Sequence, residues 1–568
     1  MADIHPPLVR TRLSILMFLQ FFIWGCWGVA ICGYAKSSGF SGTQIAWLGS
    51  VPAIGAIVSP LFVGLIADRF FAAQRMLCVL HLLGAACLIG AGICGQRLVG
   101  TEDPNAFKVL MLVMLLNGLA FMPTLALANA VAFRHIPDAD KFPRIAVLGT
   151  IGWIVANLIS EVFLGGAAKP NFLFLAGVGS ILLAFFALTL PDTPPKGAEA
   201  GGDVFGLSAL KLLKESAFLI FIVCAFLVSI PACGYFFTLM VPMFFAHGYP
   251  APLALGTLNQ FAEIIFMFSM PWFVARLGLK RVILIGMTAW AIRYLCFAWA
   301  DPSTAGFSLT LAGLILHGFC YSFFYVGAYM YIDRRAPAEL KASAQSLLAF
   351  LLLGVGYLLG AQGAGLMMGN EKLKPDIPTM PATTAEGVKK TDAPLPRWDD
   401  PNAATSAWRF LDLSGTVKGL LQKDEGKKEE PQLDLARQLD TNNDGKITIG
   451  EIEAIEGDGV TVDKLVYSKE NLIDTFNNVH KQLGLEGEVA LERAYWLEVQ
   501  SLKWKHIWLW PSIGLWVVLI FFALAFYDKP DEEESVEEPP QDESPTEPSE
   551  EEQASDEGTG DEEAGEGG

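Results

Sequence analysis

Runs of about twenty apolar residues, each closed by a polar or charged stretch, recur along the chain. Twelve can be counted, at about 13–35, 44–67, 76–96, 107–133, 144–167, 170–190, 217–245, 253–275, 282–299, 307–331, 344–368 and 504–527. A helix rises about 1.5 Å per residue, so each run matches the roughly 30 Å hydrocarbon core of a bilayer. The pattern predicts an all-α membrane protein of twelve transmembrane helices. A polar stretch at about 370–503 separates the last two runs and predicts an insert. The first run is too long for a cleavable signal peptide and leads into another span.

Polar residues inside the runs fall on faces. In the eighth run Asn259, Gln260 and Glu263 lie within roughly a quarter turn of one another, about ten residues in from Leu253. That places Glu263 about 15 Å deep, near mid-bilayer, where a carboxylate is costly unless it meets a wet cavity or a partner. It is the candidate substrate and proton site; the plainer reading is a protonated Glu locked into helix packing. Gln20, Trp24 and Trp27 stack an amide and two indoles on one face of the first run, suited to a flat polar ligand or simply to packing. Thr150, Trp153, Asn157 and Glu161 form a second stripe in the fifth, Glu161 reading best as an exposed residue of the outer mouth. In the tenth, His317, Tyr321 and Phe324 share a face, and His317 is a rival proton carrier or a plain hydrogen-bond donor. Arg293, in the ninth, either snorkels outward or pairs structurally.

Lysine and arginine set the expected orientation. The loops after even-numbered runs, with the N-terminus, carry Arg10, Arg12, Arg69, Arg75, Arg134, Lys141, Arg144, Arg276, Lys280, Arg281, Arg334 and Arg335 among others, whereas the short odd-numbered loops carry Lys36, Arg97 and Lys169. Both termini are therefore expected in the cytoplasm and the insert outside. Composition agrees: 52% of residues are hydrophobic and the mean hydropathy is +0.41. All nine cysteines fall within the runs without metal-site spacing and read as packing residues. The net charge of −19 is a tail effect, because nineteen acidic residues against Lys529 from Asp528 onward account for −18 of it. Residues 528–568 are expected to be a disordered cytoplasmic tail. Nucleotide-binding loops, catalytic triads and nucleic-acid patches are missing from the sequence, which argues against an enzyme and against a nucleic-acid partner.

The second run ends in GLIADRFFAAQR, where Gly64, Asp68, Arg69 and Arg75 resemble the signature loop of the major facilitator superfamily; Arg276, Gly278, Lys280 and Arg281 are a weaker echo. The stretches FLQFFIWGCWG, FMPTLALANA, FPRIAVLGTIGWI, LNQFAEIIFMFSMPWFVARLGLK, AWAIRYLCFA and HGFCYSFF to ASAQS resemble the nucleoside:proton symporter family of that superfamily, over about 1–369 and the last run. The resemblance implies two six-helix halves, residues 1–190 and 216–369 with helix 12 at 504–527, joined by a cytoplasmic linker at 191–215. It implies that Gln260 and Glu263 are similar to the pair with which the family binds nucleoside. Thr150, Trp153, His317 and Tyr321 stand where the family has binding residues, the last three with different side chains. Ala146 replaces a frequent arginine, Ser322 replaces a common aspartate, and the seventh run, IPACGYFFTLMVP, lacks Gln and Asn.

In the insert, DTNNDGKITIGE at 440–451 sets Asp440, Asn442, Asp444, the Lys446 carbonyl, Thr448 and Glu451 at positions 1, 3, 5, 7, 9 and 12, with Gly445 at 6. That is the oxygen-ligand pattern of an EF-hand loop for Ca2+, without a second complete loop to pair with it. The combined reading is a transporter of nucleosides or similar polar ring compounds across the cytoplasmic membrane, importing them with protons by alternating access through Glu263. Lipid, nucleoside-like solute and protons are its partners, Ca2+ binds in the insert, and transport needs no cofactor. Two other readings stay open: a non-transporting sensor on the same fold, or a transporter of another solute such as a sugar.

Overall fold

The computed structural model describes residues 6–38, 40–62, 71–97, 105–136, 143–194, 206–247, 249, 251–300, 304–369, 379–384, 389–394, 439, 441–442, 446–462, 465–482, 490–492 and 504–527. The loop carrying Gly64, Asp68 and Arg69 and the acidic tail lie outside them, as do Asp440, Asp444 and Gly445. Among the described residues ten helices are long and apolar enough to cross a membrane. They are α1 (Leu8–Ser37), α3 (Ala73–Arg97), α4 (Ala106–His135), α5 (Ile145–Leu164), α7 (Ser216–Ala246), α8 (Pro252–Leu277), α9 (Leu279–Ala298), α10 (Ala305–Arg335), α11 (Lys341–Gly369) and α12 (Trp504–Ala525). Two shorter apolar helices, α2 (Gly42–Val58) and α6 (Asn171–Ala187), fall where the second and sixth runs predict spans.

These helices are apolar outside as well as inside. Ile265, Phe268, Phe163, Leu366 and Leu524 are all more than 60% exposed, while Gln20, His81, Asn117, Asn157, Glu263, Arg293 and His317 are buried. An apolar exterior around a polar interior suits lipid as the outer solvent.

Helix packing divides into two groups. In the first, α1 runs along α5 and α6, and α3 packs on α4 and α6; in the second, α9 runs along α12, and α7 packs on α11 and α12. Glycine sets the closest approaches, because only a missing Cβ lets two helix backbones touch. A Cβ on Gly25 would sit 2.9 Å from the Trp153 Cα, and one on Gly152 would meet the Phe18 carbonyl. The α1–α5 crossing is thereby locked with Trp153 beside Trp24.

The groups meet along α2 and α11, where Gln362 Nε2 donates to Ser50 Oγ at 2.7 Å. They also meet where α5 reaches α8. Glu161 Oε2 accepts the Leu253 backbone N–H at 2.7 Å, capping the first turn of α8, and Gly166 in its left-handed conformation (φ +61°) wraps the same carboxylate. Glu161 is thus buried, 8% exposed, rather than an open mouth residue. The helix start offers unpaired N–H groups and a positive dipole end, and a carboxylate satisfies both.

Wide π turns interrupt α7 at Pro231–Tyr235, α10 at Cys320–Val326 and α11 at Phe350–Gly356. In α7 the cause is Pro231, which lacks an N–H; Tyr294 OH donates to its carbonyl.

In the insert, β1 (Thr379–Thr384), β2 (Lys389–Pro394), β4 (Gly459–Val462) and β5 (Leu465–Ser468) form a sheet in the order β2-β1-β5-β4 with antiparallel pairs. A helix at Lys469–Gln482 packs on β1 and β5. The short strand β3 (Lys446–Thr448) pairs antiparallel with β6 (Ala490–Glu492).

Replacing Glu161 by Ala removes the acceptor that ties α5 to α8. A buried N–H left unpaired costs about 1–3 kcal/mol, equivalent to roughly 5- to 150-fold in the balance between closed and open forms. A cysteine placed at Asn157, behind this contact, should react faster with a membrane-impermeant maleimide in Glu161→Ala than in the Glu161 background. Equal rates would show that the contact does not hold the mouth.

Candidate functional site

Where the two groups face each other, a narrow cavity of about 10 Å³ is lined by Val29, Trp153, Asn157, Phe236, Phe237, Met240, Leu253, Gly256, Asn259, Gln260 and His317. It holds little more than one water molecule, and a ligand pocket measures about 300–1,000 Å³, so a solute enters only if the helices part. A second cleft, of about 540 Å³ and open to solvent, lies at the helix ends bearing Arg334. Phe133 of α4 lines one side, and Tyr329, Asp333, Arg334 and Gln345 of α10 and α11 line the other.

The central cavity brings together residues far apart in sequence. Trp153 stands edge-on to Trp24 with ring centres 5.4 Å apart, and its other side meets Phe237 at 6.3 Å. Across from these, α8 presents Asn259 and Gln260, with Glu263 one turn on, 9% exposed and within interaction range of the Thr150 side chain. His317 Nε2 lies 3.8 Å from Glu263 Oε2, and the imidazole is 6.1 Å from Phe236 and 6.2 Å from Tyr321 between ring centres. Tyr321 is 37% exposed. Trp24, Thr150, Trp153, Gln260, Glu263, His317 and Tyr321 therefore belong to one connected region.

Gln20, Trp24 and Trp27 do not line this cavity. Gln20 is fully buried, donating to Thr124 Oγ1 at 2.7 Å while its Oε1 lies 3.1 Å from His81 Nε2. Trp27 packs edge-on against Phe121 at 5.8 Å. The face shared by Gln20, Trp24 and Trp27 is split by burial: Trp24 sits beside Trp153, and the other two fill the first group.

Of the two readings of Arg293, outward snorkelling and structural pairing, the structure bears out the second. It does not snorkel: it is 0% exposed, with its guanidinium 3.9 Å from the Phe236 ring centre and 5.1 Å from that of Trp290. Nη1 reaches His317 Nδ1 at 2.7 Å, and Nη2 donates to Asn259 Oδ1 at 2.8 Å. Asn259 in turn donates to the Gly256 carbonyl at 2.9 Å. The signal available in sequence was the isolated cation at mid-membrane depth, which demands a partner. Asn259 and Asn157 were visible as face residues, and Phe236 and Phe237 were indistinguishable from other lipid-compatible aromatics.

Ser322 Oγ lies 3.5 Å from the Glu263 carbonyl. In the insert, Glu451 folds back on its own loop: Oε2 accepts from Thr448 N and Oγ1, both at 2.9 Å, and Oε1 lies 3.3 Å from Thr441 Oγ1 and 3.4 Å from Asn442 N. No group of three or more His, Cys, Asp or Glu among the described residues could hold a metal, and two of the three expected carboxylates, Asp440 and Asp444, lie outside them.

A multi-pass helical bundle with a polar, aromatic-walled cavity between two packed groups of helices defines a secondary transporter of the major facilitator class. Residues 8–374 match the model of the nucleoside H+ symporter family, and the chain belongs to that family. It is 39% identical over 373 residues to the putative nucleoside transporter YegT of Escherichia coli K12, covering 63% of this chain and 84% of that protein. With the xanthosine permease of the same organism it shares 33% over 377 residues, 63% and 87% of the two chains. The crystal structure of the nucleoside transporter NupG superposes with a TM-score of 0.55 at 27% identity, over 63% of this chain and 90% of that one.

Proposed function

We propose that this protein imports nucleosides together with protons across the cytoplasmic membrane by alternating access. The observation that carries the reading is a closed cavity lined by Gln260 of α8 and by Trp153, with Glu263 one turn on from Gln260 and Trp24 against Trp153, in a chain of the nucleoside H+ symporter family. Two indoles supply flat faces for a base, Gln260 supplies a donor and an acceptor, and Glu263 supplies a group that can be carried neutral or charged. The substrates in the relatives' names, nucleosides and among them xanthosine, carry a planar base of this kind. With α2 and α6 as spans, the bundle has twelve helices in two halves, and both chain ends face the cytoplasm with the 370–503 insert outside. The open cleft beside Arg334 then faces the cytoplasm, and the Glu161–Leu253 contact closes the outer mouth.

The proton resides on Glu263. A nucleoside hydrogen-bonding to the protonated carboxyl loads solute and proton together. Ca2+ would bind the 440–451 loop, with Asp440, Asn442, Asp444, the Lys446 carbonyl, Thr448 and Glu451 supplying oxygen. The Glu451 carboxylate, already drawn to Thr441, Asn442 and Thr448, lies between the two ends of that loop.

Gln260→Ala should weaken binding of uridine or adenosine about 5- to 150-fold, the effect of losing one buried hydrogen-bonding partner worth about 1–3 kcal/mol. Isothermal titration of the purified protein reads this directly, and an unchanged affinity would move the site elsewhere.

Glu263→Gln keeps the shape of the protonated acid. In proteoliposomes it should still exchange labelled nucleoside at equilibrium yet no longer accumulate it under an imposed inward proton gradient. Accumulation surviving in this variant would remove Glu263 as the carrier.

A lone extracellular EF-hand binds weakly, at about 10⁻⁴ to 10⁻³ M. Calcium titrated into the full chain should give saturable heat in that range, abolished by Asp440→Ala. Identical titrations of the two proteins would count against the loop.

A further inference from the structure

Arg293 touches the site from behind. Its guanidinium is fully buried, lies on the Phe236 ring, and holds two wall residues of the cavity at once, Asn259 of α8 and His317 of α10. A guanidinium has only N–H donors and keeps its proton in proteins, so in the 2.7 Å contact with His317 the imidazole Nδ1 must accept. The single ring proton of His317 is then on Nε2, the nitrogen 3.8 Å from Glu263 Oε2. A second proton on His317 would have to go to Nδ1, which would break the bond to Arg293 and set two cations against each other in a dry site.

We infer that Arg293 is a positioning residue of the coupling site: it fixes His317 as a neutral imidazole with Nε2–H turned toward Glu263, and thereby confines the carried proton to Glu263. This rests on the proton-coupled reading above and adds to it why the neighbouring histidine does not compete. The line Arg293, His317, Glu263 also gives the ionised carboxylate a buried counter-charge one side chain away. The charged and titratable groups around His317 are Glu263 from α8, Arg293 from α9, and Tyr321 and Cys320 from its own helix, while α7 presents Phe236. Arg293 itself is flanked by Tyr294, Cys296 and Cys320. Asn259 joins the same guanidinium to the cavity wall beside Gln260, so a shift of Arg293 is felt by both α8 and α10.

The test uses full-length protein in lipid with 15N-labelled imidazole rings. The chain has seven histidines, and the His317 signal is the one lost in His317→Gln. In the wild type it should show the neutral Nε2–H form throughout about pH 5 to 8, the range in which a free histidine titrates. In Arg293→Gln the same signal should titrate within that range, and proton-driven accumulation should fall roughly tenfold, the effect of losing one charge-assisted hydrogen bond. A His317 that titrates in the wild type, or that carries its proton on Nδ1, overturns the inference, and that spectrum decides even where the variant fails to fold. The spectrum does not depend on transport: a wild type that shows the fixed Nε2–H form but never accumulates nucleoside supports the assignment of Arg293 and refutes the symport reading instead.

Discussion

A charge that cannot be given up, placed where there is no water, is the constraint on which the second group of helices depends. Arg293 is fully buried in α9, and moving an ion of its size out of water costs several kcal/mol even after the surroundings relax. The chain answers with an aromatic face from α7, an amide from α8 and an imidazole from α10. None of these helices can shift independently without stranding the cation. The cavity wall made by Asn259, Gln260 and His317 is held in place by a residue that does not itself line it.

The two groups of helices solve their packing differently. In the first, glycines such as Gly25 and Gly152 let backbones touch, which gives a stiff, close contact that presents Trp153 to the cavity. In the second, α7, α10 and α11 all contain wide turns whose freed backbone groups need outside partners. Two of these turns lie next to the cavity, Pro231–Tyr235 immediately before Phe236 and Cys320–Val326 three residues after His317. A helix whose ladder is already interrupted can change its local pitch at lower cost than a regular one. A rigid first group working against an adaptable second group is a coherent basis for opening and closing around a central solute.

The contacts between the groups have a polarity that matters for alternating access. At one end the Glu161 carboxylate caps α8 and Gly166 closes over it, so both partners of a buried polar contact would have to be rehydrated together. At the other end the cleft between Phe133 and the α10–α11 pair is already open. Between them the cavity is too small for any nucleoside, so passage of solute and the breaking of helix contacts are one event.

Much of this was legible in sequence because hydrocarbon imposes a simple rule: twenty apolar residues in a row have few other places to be. Ten long apolar helices and two shorter ones lie where the runs predicted them, and the polar turn Asn259, Gln260, Glu263 stands out because charge at that depth is expensive. The family could be read from the segments that carry these residues. Partnership could not. Periodicity puts Gln20 with Trp24 and Trp27 on one face, but that Trp24 alone meets the cavity-lining Trp153 depends on α5 arriving at Gly25, and Gln20 is instead taken up by Thr124 and His81. Glu161 looked like a solvated mouth residue until the α8 helix start was placed beside it. Arg293 could be read as paired but not with whom, because its partners lie 24 and 34 positions away, on two other helices. Sequence determines which side chains must avoid lipid, since that is a property of each residue and its depth; only the tertiary structure decides which of them satisfy one another, because that depends on how the helices cross.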